Sequence, residues 1–129
     1  MRVLVDTHVL LWAATAPDRL PERFREYLES PANDVLFSAA SIWEIAIKSQ
    51  INRIDLTIDP ADLARGAVEN GFEELAVTSV HAAGVSQLPL HHRDPFDRIL
   101  IAQALSEPAR LLTVDAALAR YSELVEVGR

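Results

Sequence analysis

The sequence predicts an α/β fold in which a central, mostly parallel sheet of about five short strands is flanked by helices on both faces. Short apolar runs typical of strands buried on both faces recur along the chain, beginning with Val3, Leu4 and Val5. Helical patterns separate these runs, and strands that alternate with helices are typical of parallel sheets. The 129 residues are expected to form one domain, residues 1–129.

The predicted strands are short apolar runs bounded by polar or turn-forming residues. They lie at residues 3–5, 35–38, 74–77, 110–115 and 124–127, the last as an edge strand. The first run is followed at once by Asp6, and the fourth ends on Asp115. Two strands are therefore expected to present a carboxylate at their carboxyl ends.

The predicted helices begin at capping signals. Pro21 and Pro95 suit the first position of a helix, and Asp59 precedes a third such proline. Ser41 and Glu44 have the S-x-x-E spacing of a capping box, which taken alone is the favoured interpretation of Glu44. The helices are predicted at residues 9–13, 21–30, 41–48, 60–68, 79–85, 95–105 and 116–121.

Composition and charge exclude several classes of protein. The chain has no cysteine, which excludes disulfides, thiolate metal sites and cysteine nucleophiles. Its net charge of −7 argues against binding nucleic acid through a basic face, but it allows metal-mediated contact with phosphates and suits a basic protein partner. Asp6 and His8 interrupt the apolar start of the chain, so we expect a soluble, cytoplasmic protein rather than a secreted or membrane-spanning one.

Acidic residues are expected to gather at one edge of the sheet. Asp6 and Asp115 follow strands, while Glu44 and Asp97 lie near helix starts, with Asp94 beside them. Four of them have a local alternative, since Asp6 and Asp94 can cap helices, Asp97 complements a helix dipole, and Glu44 fits the capping box. The carboxyl ends of parallel strands and the amino ends of the following helices share one edge, however, so all five carboxylates can meet in one crevice.

Clustered carboxylates repel one another unless they are protonated or neutralised. Mg²⁺ and Mn²⁺ are the natural neutralising ions, because they prefer oxygen ligands. Two such ions would match the formal charge of four carboxylates and could activate a water for phosphodiester hydrolysis. The chain has no P-loop, G-x-G-x-x-G, H-E-x-x-H or G-x-S-x-G motif, so nucleotide-binding, zinc-protease and serine-hydrolase chemistry have no support.

Four motifs spread over nearly the whole chain carry a family resemblance. They read LVDTH at residues 4–8 with Trp12, IWEIAIK at 42–48 preceded by Ser38, HHRDPFDRILIAQA at 91–104, and LTVD at 112–115. In this order they resemble the PIN-domain family, and specifically the VapC-type toxins of bacterial type II toxin–antitoxin pairs. The resemblance implies a PIN-like fold and a Mg²⁺- or Mn²⁺-dependent endoribonuclease that is usually dimeric and is neutralised by a co-encoded antitoxin.

The resemblance also assigns roles to residues of this chain. The acidic quartet that would hold the metal and support catalysis is Asp6, Glu44, Asp97 and Asp115, where Asp97 is chosen by its D-x-x-x-I-A register. Asp94 is an additional acid, either a ligand or a helix cap. The candidates for orienting the acids are Thr7, Ser38 and Thr113, and those for contacting RNA phosphates are Lys48, Arg53, Arg93 and Arg98.

The remaining polar and aromatic residues receive more general expectations. His91 and His92 are expected to contact phosphate or cap the neighbouring helix rather than bind an oxygen-preferring metal. Arg19 is expected on a solvated helix face, and Trp43 in the core or at a partner interface. The antitoxin is expected to place a basic segment in the acidic site.

Two other functional classes stay open at this stage. An aspartyl-phosphate protein, such as a receiver domain or a haloacid-dehalogenase-type phosphatase, also places an acid after its first strand. The phosphatase type needs D-x-D there, and His8 stands at the third position. A non-catalytic module that grips a basic partner with its acids is the other alternative, and RNA cleavage would distinguish all three.

Overall fold

Five strands form one parallel sheet in the order β3-β2-β1-β4-β5 in the computed structural model, which describes residues 1–51 and 58–129. The central strand β1 pairs in parallel with β2 on one side and with β4 on the other. The strands are β1 Arg2–Val5, β2 Asp34–Ser38, β3 Glu73–Leu75, β4 Arg110–Thr113 and β5 Val125–Val127. The predicted fold class is confirmed.

Six α-helices and three 3₁₀ helices connect and cover the strands in the described residues. The α-helices are α1 Thr7–Thr15, α2 Glu22–Glu29, α3 Ala39–Gln50, α4 Pro60–Glu69, α5 Ser79–Gly84 and α6 Pro95–Ser106. The 3₁₀ helices are Pro17–Arg19, Val85–Gln87 and Ala116–Tyr121. Pro21 occupies the cap position before α2 rather than its first helical position. None of the described helices has the length and apolar character that crossing a membrane requires.

The sheet separates two apolar layers, because side chains alternate along each strand. Val3 and Val5 point into one layer, which also contains side chains of α1, α2 and α4, including the fully buried Phe24. Leu4 points into the other layer, together with Leu100 and other side chains of α6. Burying one such side chain contributes about 1.5–3 kcal/mol, so the two layers fix helices on both faces of the sheet.

The start of α3 differs from the sequence prediction in a way that matters for the site. The hydroxyl of Ser38, not that of Ser41, caps the helix by accepting a hydrogen bond from the Ala40 amide at 3.0 Å. The predicted capping box of Ser41 and Glu44 is therefore wrong. Because the helix begins earlier than predicted, Glu44 lies in its second turn and its carboxylate is free to make other contacts.

The sheet topology places a crevice above the central strands. In the sheet, β2 is the neighbour of β1 on one edge, and β4 is its neighbour on the opposite edge. The direction in which strands are added therefore reverses at β1. Ligands of open α/β sheets bind at such a switch point, outside the carboxyl ends of the strands. Asp6 follows β1 and Asp115 follows β4, so these two acids flank the crevice.

Candidate active site

A cleft of about 310 Å³ lies at the carboxyl edge of the sheet and contains every acid that the sequence singled out. Its walls come from the starts of α1 and α6, the second turn of α3 and the loop after β4. The lining residues are Asp6, Thr7, His8, Trp12, Glu44, Lys48, Asp94, Asp97, Val114 and Asp115.

Asp6 is both a helix cap and a wall of the cleft. Its carboxylate is buried, and Oδ1 accepts a hydrogen bond from the Val9 amide at 2.8 Å at the start of α1. Burial raises the pKa of Asp6 to about 6, although hydrogen bonds from Thr113 and Val9 act in the opposite direction. Asp6 therefore caps α1 and lines the cleft at the same time, so a capping role does not exclude a role in the site.

Glu44 is held by two side chains from different directions. The Thr7 hydroxyl donates to Glu44 Oε1 at 2.6 Å, and it also lies 3.0 Å from the Ser41 hydroxyl. On the other oxygen, Glu44 forms an ion pair with Lys48, one helical turn further along α3. Burial disfavours the charged form of Lys48, but Glu44, Asp94 and Asp97 together raise its pKa. Lys48 is thus an ammonium ion set among carboxylates.

The start of α6 and the segment before it bring together three side chains that could bind a metal ion. Asp94 caps the helix by accepting from the Phe96 amide at 2.9 Å, and it also lines the cleft. His92 Nε2 lies 2.8 Å from Asp97 Oδ2. Burial and the neighbouring Asp94 raise the pKa of Asp97. Ligand atoms of His92, Asp94 and Asp97 all lie within 4.8 Å of one another, so they could share one ion.

The fourth wall of the cleft is the loop after β4. Asp115 is exposed and caps the 3₁₀ helix that follows, since its Oδ1 accepts from the Ala117 amide at 3.0 Å. The Thr113 hydroxyl accepts from the Asp115 amide at 3.1 Å and lowers the pKa of Asp6 by hydrogen bonding to it. Thr113 therefore connects two of the acids. The hydrogen bond of the Ser38 hydroxyl goes to its own helix, so Ser38 acts on Glu44 only through the start of α3.

The overall match to known proteins agrees with this arrangement. The family model described as the PIN domain matches residues 3–124. The chain belongs to the PIN-domain family. It is 30% identical over 116 residues to Ribonuclease VapC22 of Mycobacterium tuberculosis strain ATCC 25618 / H37Rv, and the match covers 90% of this chain and 88% of that protein. The predicted resemblance is confirmed, and it favours the nuclease over the aspartyl-phosphate alternatives.

Two solved toxin–antitoxin structures have the same fold. The crystal structure of VapBC2 from Rickettsia felis, bound to a DNA fragment from its promoter, matches with a TM-score of 0.74 and 15% identity over 100% of both chains. A toxin–antitoxin complex from Klebsiella pneumoniae matches with a TM-score of 0.64 and 17% identity, over 97% of this chain and 96% of that chain. Both structural matches cover nearly the whole chain, so the similarity of fold includes all five strands and the helices around them.

The predicted phosphate contacts have different positions in this PIN domain. Lys48 lies in the cleft, whereas Arg93 is exposed and lines a neighbouring apolar groove. Arg53 lies outside the described residues. The expectation for Arg98 is corrected, because its guanidinium is buried and its Nη atoms donate to protein acceptors. These acceptors are the carbonyls of Val85, Leu88, Pro89 and His92 and the hydroxyl of Tyr121.

Arg98 has a positional role that the sequence did not reveal. It holds the carbonyl oxygens of the segment before α6, and both Arg98 and the Tyr121 hydroxyl donate to the carbonyl of His92. The side chain of His92 in turn contacts Asp97. These hydrogen bonds, which we call the Arg98 clamp, fix the segment before α6 and thereby hold the His92 imidazole against Asp97. The direction of a long side chain inside a motif depends on the packing around it, so no sequence signal identified the clamp.

The ligand set of the cleft fits a hard divalent cation. Five carboxylates line it, and among the described lining residues only Lys48 carries a permanent positive charge. The raised pKa values of Asp6 and Asp97 indicate that burial and mutual repulsion disfavour their charged forms. Mg²⁺ and Mn²⁺ prefer such oxygen ligands and would offset this charge.

Replacing Asp6 with Asn is expected to stabilise the metal-free protein near pH 7. The folded-state pKa of about 6 lies above the ordinary value of 3.8, so the carboxylate lowers stability as the pH rises between these values. The Asn side chain keeps an oxygen that can accept from the Val9 amide. The gain should reach about 3 kcal/mol at most near pH 7 and vanish below about pH 4. Urea unfolding with EDTA at both pH values measures it.

The control for this prediction is Asp115→Asn. Asp115 is exposed, so its replacement should change the free energy of unfolding by less than about 0.5 kcal/mol at either pH. A loss of stability in Asp6→Asn near pH 7 would contradict the prediction, since it would mean that the negative charge itself is required at the start of α1.

Proposed function

We propose that this PIN domain is the toxin of a type II toxin–antitoxin pair, a VapC-type endoribonuclease that hydrolyses RNA phosphodiester bonds with Mg²⁺ or Mn²⁺. The observation that carries the proposal is the group of five carboxylates in one cleft at the topological switch point of a PIN fold. Similarity to a named ribonuclease supports RNA as the substrate. Residues 1–129 would act as one nuclease domain, in the cytoplasm, where RNA and a co-encoded antitoxin are both present.

The acids are proposed as the metal ligands. Asp6, Glu44, Asp97 and Asp115 form the proposed quartet, and the capping position of Asp94 does not prevent its other oxygen from acting as a fifth ligand. A bound Mg²⁺ or Mn²⁺ ion would supply a Lewis acid that activates a water and stabilises the leaving oxygen.

Neighbouring side chains of the chain orient these acids. Thr7 fixes Glu44 through a 2.6 Å hydrogen bond, and His92 fixes Asp97 through a 2.8 Å contact. Because each acid is held before any ligand arrives, little side-chain entropy would be lost on metal binding. Lys48 neutralises part of the charge on Glu44 and would meet a phosphate entering the cleft, while exposed Arg93 would contact phosphates further along the strand.

Metal-dependent RNA cleavage is the direct test of this function. The purified chain should cut a mixed cellular RNA pool into discrete fragments in Mg²⁺ or Mn²⁺, and EDTA should abolish the cutting. Asp6→Asn, which should remain folded, is expected to lower the cleavage rate at least about a hundredfold because a ligand is lost. The rate is measured from the disappearance of full-length RNA on sequencing gels.

The matched control is Glu123→Gln, which removes an exposed acid outside the cleft lining and should retain full activity. Equal loss of activity in Glu123→Gln and Asp6→Asn would point to net charge rather than to the cleft. Full activity in EDTA, or in Asp6→Asn, would contradict the metal-dependent mechanism.

The acidic cleft also favours an antitoxin with a basic segment. The cleft has five carboxylates, and its lysine is already paired with Glu44. A segment with arginine or lysine side chains would be attracted to the unneutralised acids and would occupy the place of the metal and the RNA. The two solved structures with this fold, a VapBC assembly and a toxin–antitoxin complex, support an antitoxin as the protein partner.

Salt and two cleft acids should control antitoxin binding. The double variant Asp94→Asn with Asp115→Asn is expected to bind the co-encoded antitoxin about tenfold more weakly, and added salt should weaken the wild-type complex more than the variant complex. Isothermal titration at two salt concentrations measures both effects, with Glu123→Gln as the unaffected control. Equal affinity of the double variant would show that the antitoxin avoids the cleft.

An apolar surface beside the cleft supports a homodimer. Trp43, with 63% of its surface exposed, and Val77, with 41%, line a groove of about 610 Å³ together with Phe96. The side chains that line it are apolar except for Arg93 and Arg98, so the groove offers a basic segment no carboxylate and offers RNA only the exposed cation of Arg93. A second copy brings the same apolar patch, and two such patches can pair across a two-fold axis.

Trp43→Asp is therefore expected to convert a dimer into a monomer. The introduced carboxylate would be buried against the partner's apolar surface, which should weaken self-association at least about a hundredfold. Sedimentation equilibrium measures the change. Leu90→Asp is the control, because Leu90 is 81% exposed and lies outside the groove lining. Wild-type protein that stays monomeric at high concentration would contradict the dimer.

A further inference from the structure

The lining of the acidic cleft also includes aromatic side chains. His8 and Trp12 lie four residues apart on α1, and both line the cleft. Their ring centroids are 6.2 Å apart, with the planes tilted by 59°. Above the Trp12 ring lies the guanidinium of Arg19, whose carbon is 4.6 Å from the ring centroid. We call these three side chains the aromatic wall.

Packing against the core explains only part of the environment of the Trp12 side chain. The indole is partly buried and touches the apolar layer beneath α1, as an ordinary core residue would. It also lines the cleft, however, and the Arg19 that covers it is exposed. In the part of the chain that the structure describes, no carboxylate forms a salt bridge with Arg19. An exposed cation stacked on an indole beside an acidic cleft is not required by the fold.

The charges of the cleft limit where a nucleic acid can be held. Lys48 is paired with Glu44, and Arg98 donates to backbone carbonyls inside the protein. Phosphates near the acids would be repelled except where a cation lies between them. Nucleobases are not subject to this repulsion, and proteins bind unpaired bases by stacking them on aromatic rings and guanidinium planes. The aromatic wall offers two rings in the cleft beside the acids and, over the Trp12 ring, a guanidinium plane.

We propose that the aromatic wall is a nucleobase-binding subsite, in which an unpaired base of the RNA stacks on Trp12 beside the acids. Arg19, whose guanidinium lies over the Trp12 ring, would move away from the ring to cover the base or contact its phosphate, and the neighbouring His8 ring would contact the base as well. The subsite takes single-stranded RNA, because a base in a duplex is already stacked and paired. It rests on the proposed ribonuclease function, since the neighbouring acids are where cleavage would occur.

Tryptophan fluorescence can test this stacking directly, because Trp12 and Trp43 are the only two tryptophans in the chain. Trp43→Phe leaves Trp12 as the sole reporter, and Trp12→Phe leaves Trp43. Both are prepared in an Asp97→Asn background to prevent hydrolysis during the titration. The probe is a short single-stranded RNA of randomised sequence in Mg²⁺, and its matched control is an abasic ribose-phosphate chain of the same length.

Stacking predicts a specific set of signals. The single-Trp12 chain should be quenched by the ordinary RNA, and the abasic chain should bind roughly tenfold more weakly without quenching. The single-Trp43 chain should show little quenching with either probe. Quenching of Trp43 rather than Trp12, or equal binding of both probes by the single-Trp12 chain, would overturn the subsite.

A kinetic arm separates stacking from a structural role of Trp12. In the active chain, Trp12→Leu retains an apolar side chain against the core and should raise KM roughly tenfold, with Mn²⁺ affinity unchanged. Trp12→Phe, which keeps a ring, should restore most of the loss. Unchanged KM in Trp12→Leu would overturn the proposal, and so would a loss of Mn²⁺ affinity that accounts for the whole defect.

The ribonuclease function and the nucleobase-binding subsite can be tested separately. Quenching at Trp12 in a chain that cuts no RNA would support the base-binding subsite and contradict the ribonuclease. Normal cleavage with no quenching at Trp12 would keep the ribonuclease and remove the subsite.

Discussion

The arrangement of this PIN domain depends on holding five carboxylates at one edge of the sheet against their mutual repulsion. Three of them, Asp6, Asp94 and Asp115, accept backbone amides at helix starts. A helix N-terminus carries partial positive charge and unpaired N–H groups, so each cap offsets part of a carboxylate charge. Glu44, inside α3, has Lys48 instead. The hydrogen bonds that cap these helices are therefore also the contacts that hold three of the carboxylates in the cleft.

Much of this could be predicted from the sequence, because the deciding signals are local. Buried strands appear as apolar runs, and the caps at Asp59 and Asp94 act within three residues of themselves. A parallel sheet then brings strand ends and helix starts to one edge without any knowledge of distant contacts. That rule alone was enough to place Asp6 and Asp115 beside the helix acids.

The sequence predictions are wrong where two neighbouring residues can each cap a helix, or where a long side chain can point in several directions. Ser38 and Ser41 can each cap α3, and the choice depends on where β2 ends and on the Thr7 hydroxyl, which lies beside Ser41 in the folded chain. The sequence predicts that Arg98 contacts phosphate near the site, whereas its guanidinium is buried and donates to protein acceptors. Its direction is set by the carbonyls of the preceding segment, which only tertiary structure brings within reach.

The positions of the cations give the site its functional character. Arg98 faces inward, Lys48 is paired, and the chain as a whole has a charge of −7, so long-range attraction of RNA is weak. In the proposed nuclease, RNA would be held in the cleft mainly by short-range contacts, through an ion between carboxylate and phosphate and through stacking on the aromatic wall. A basic protein segment needs neither, since it complements the acids directly. The charge pattern that would make the cleft a poor site for RNA without metal would thus make it a good site for the proposed basic segment of the antitoxin.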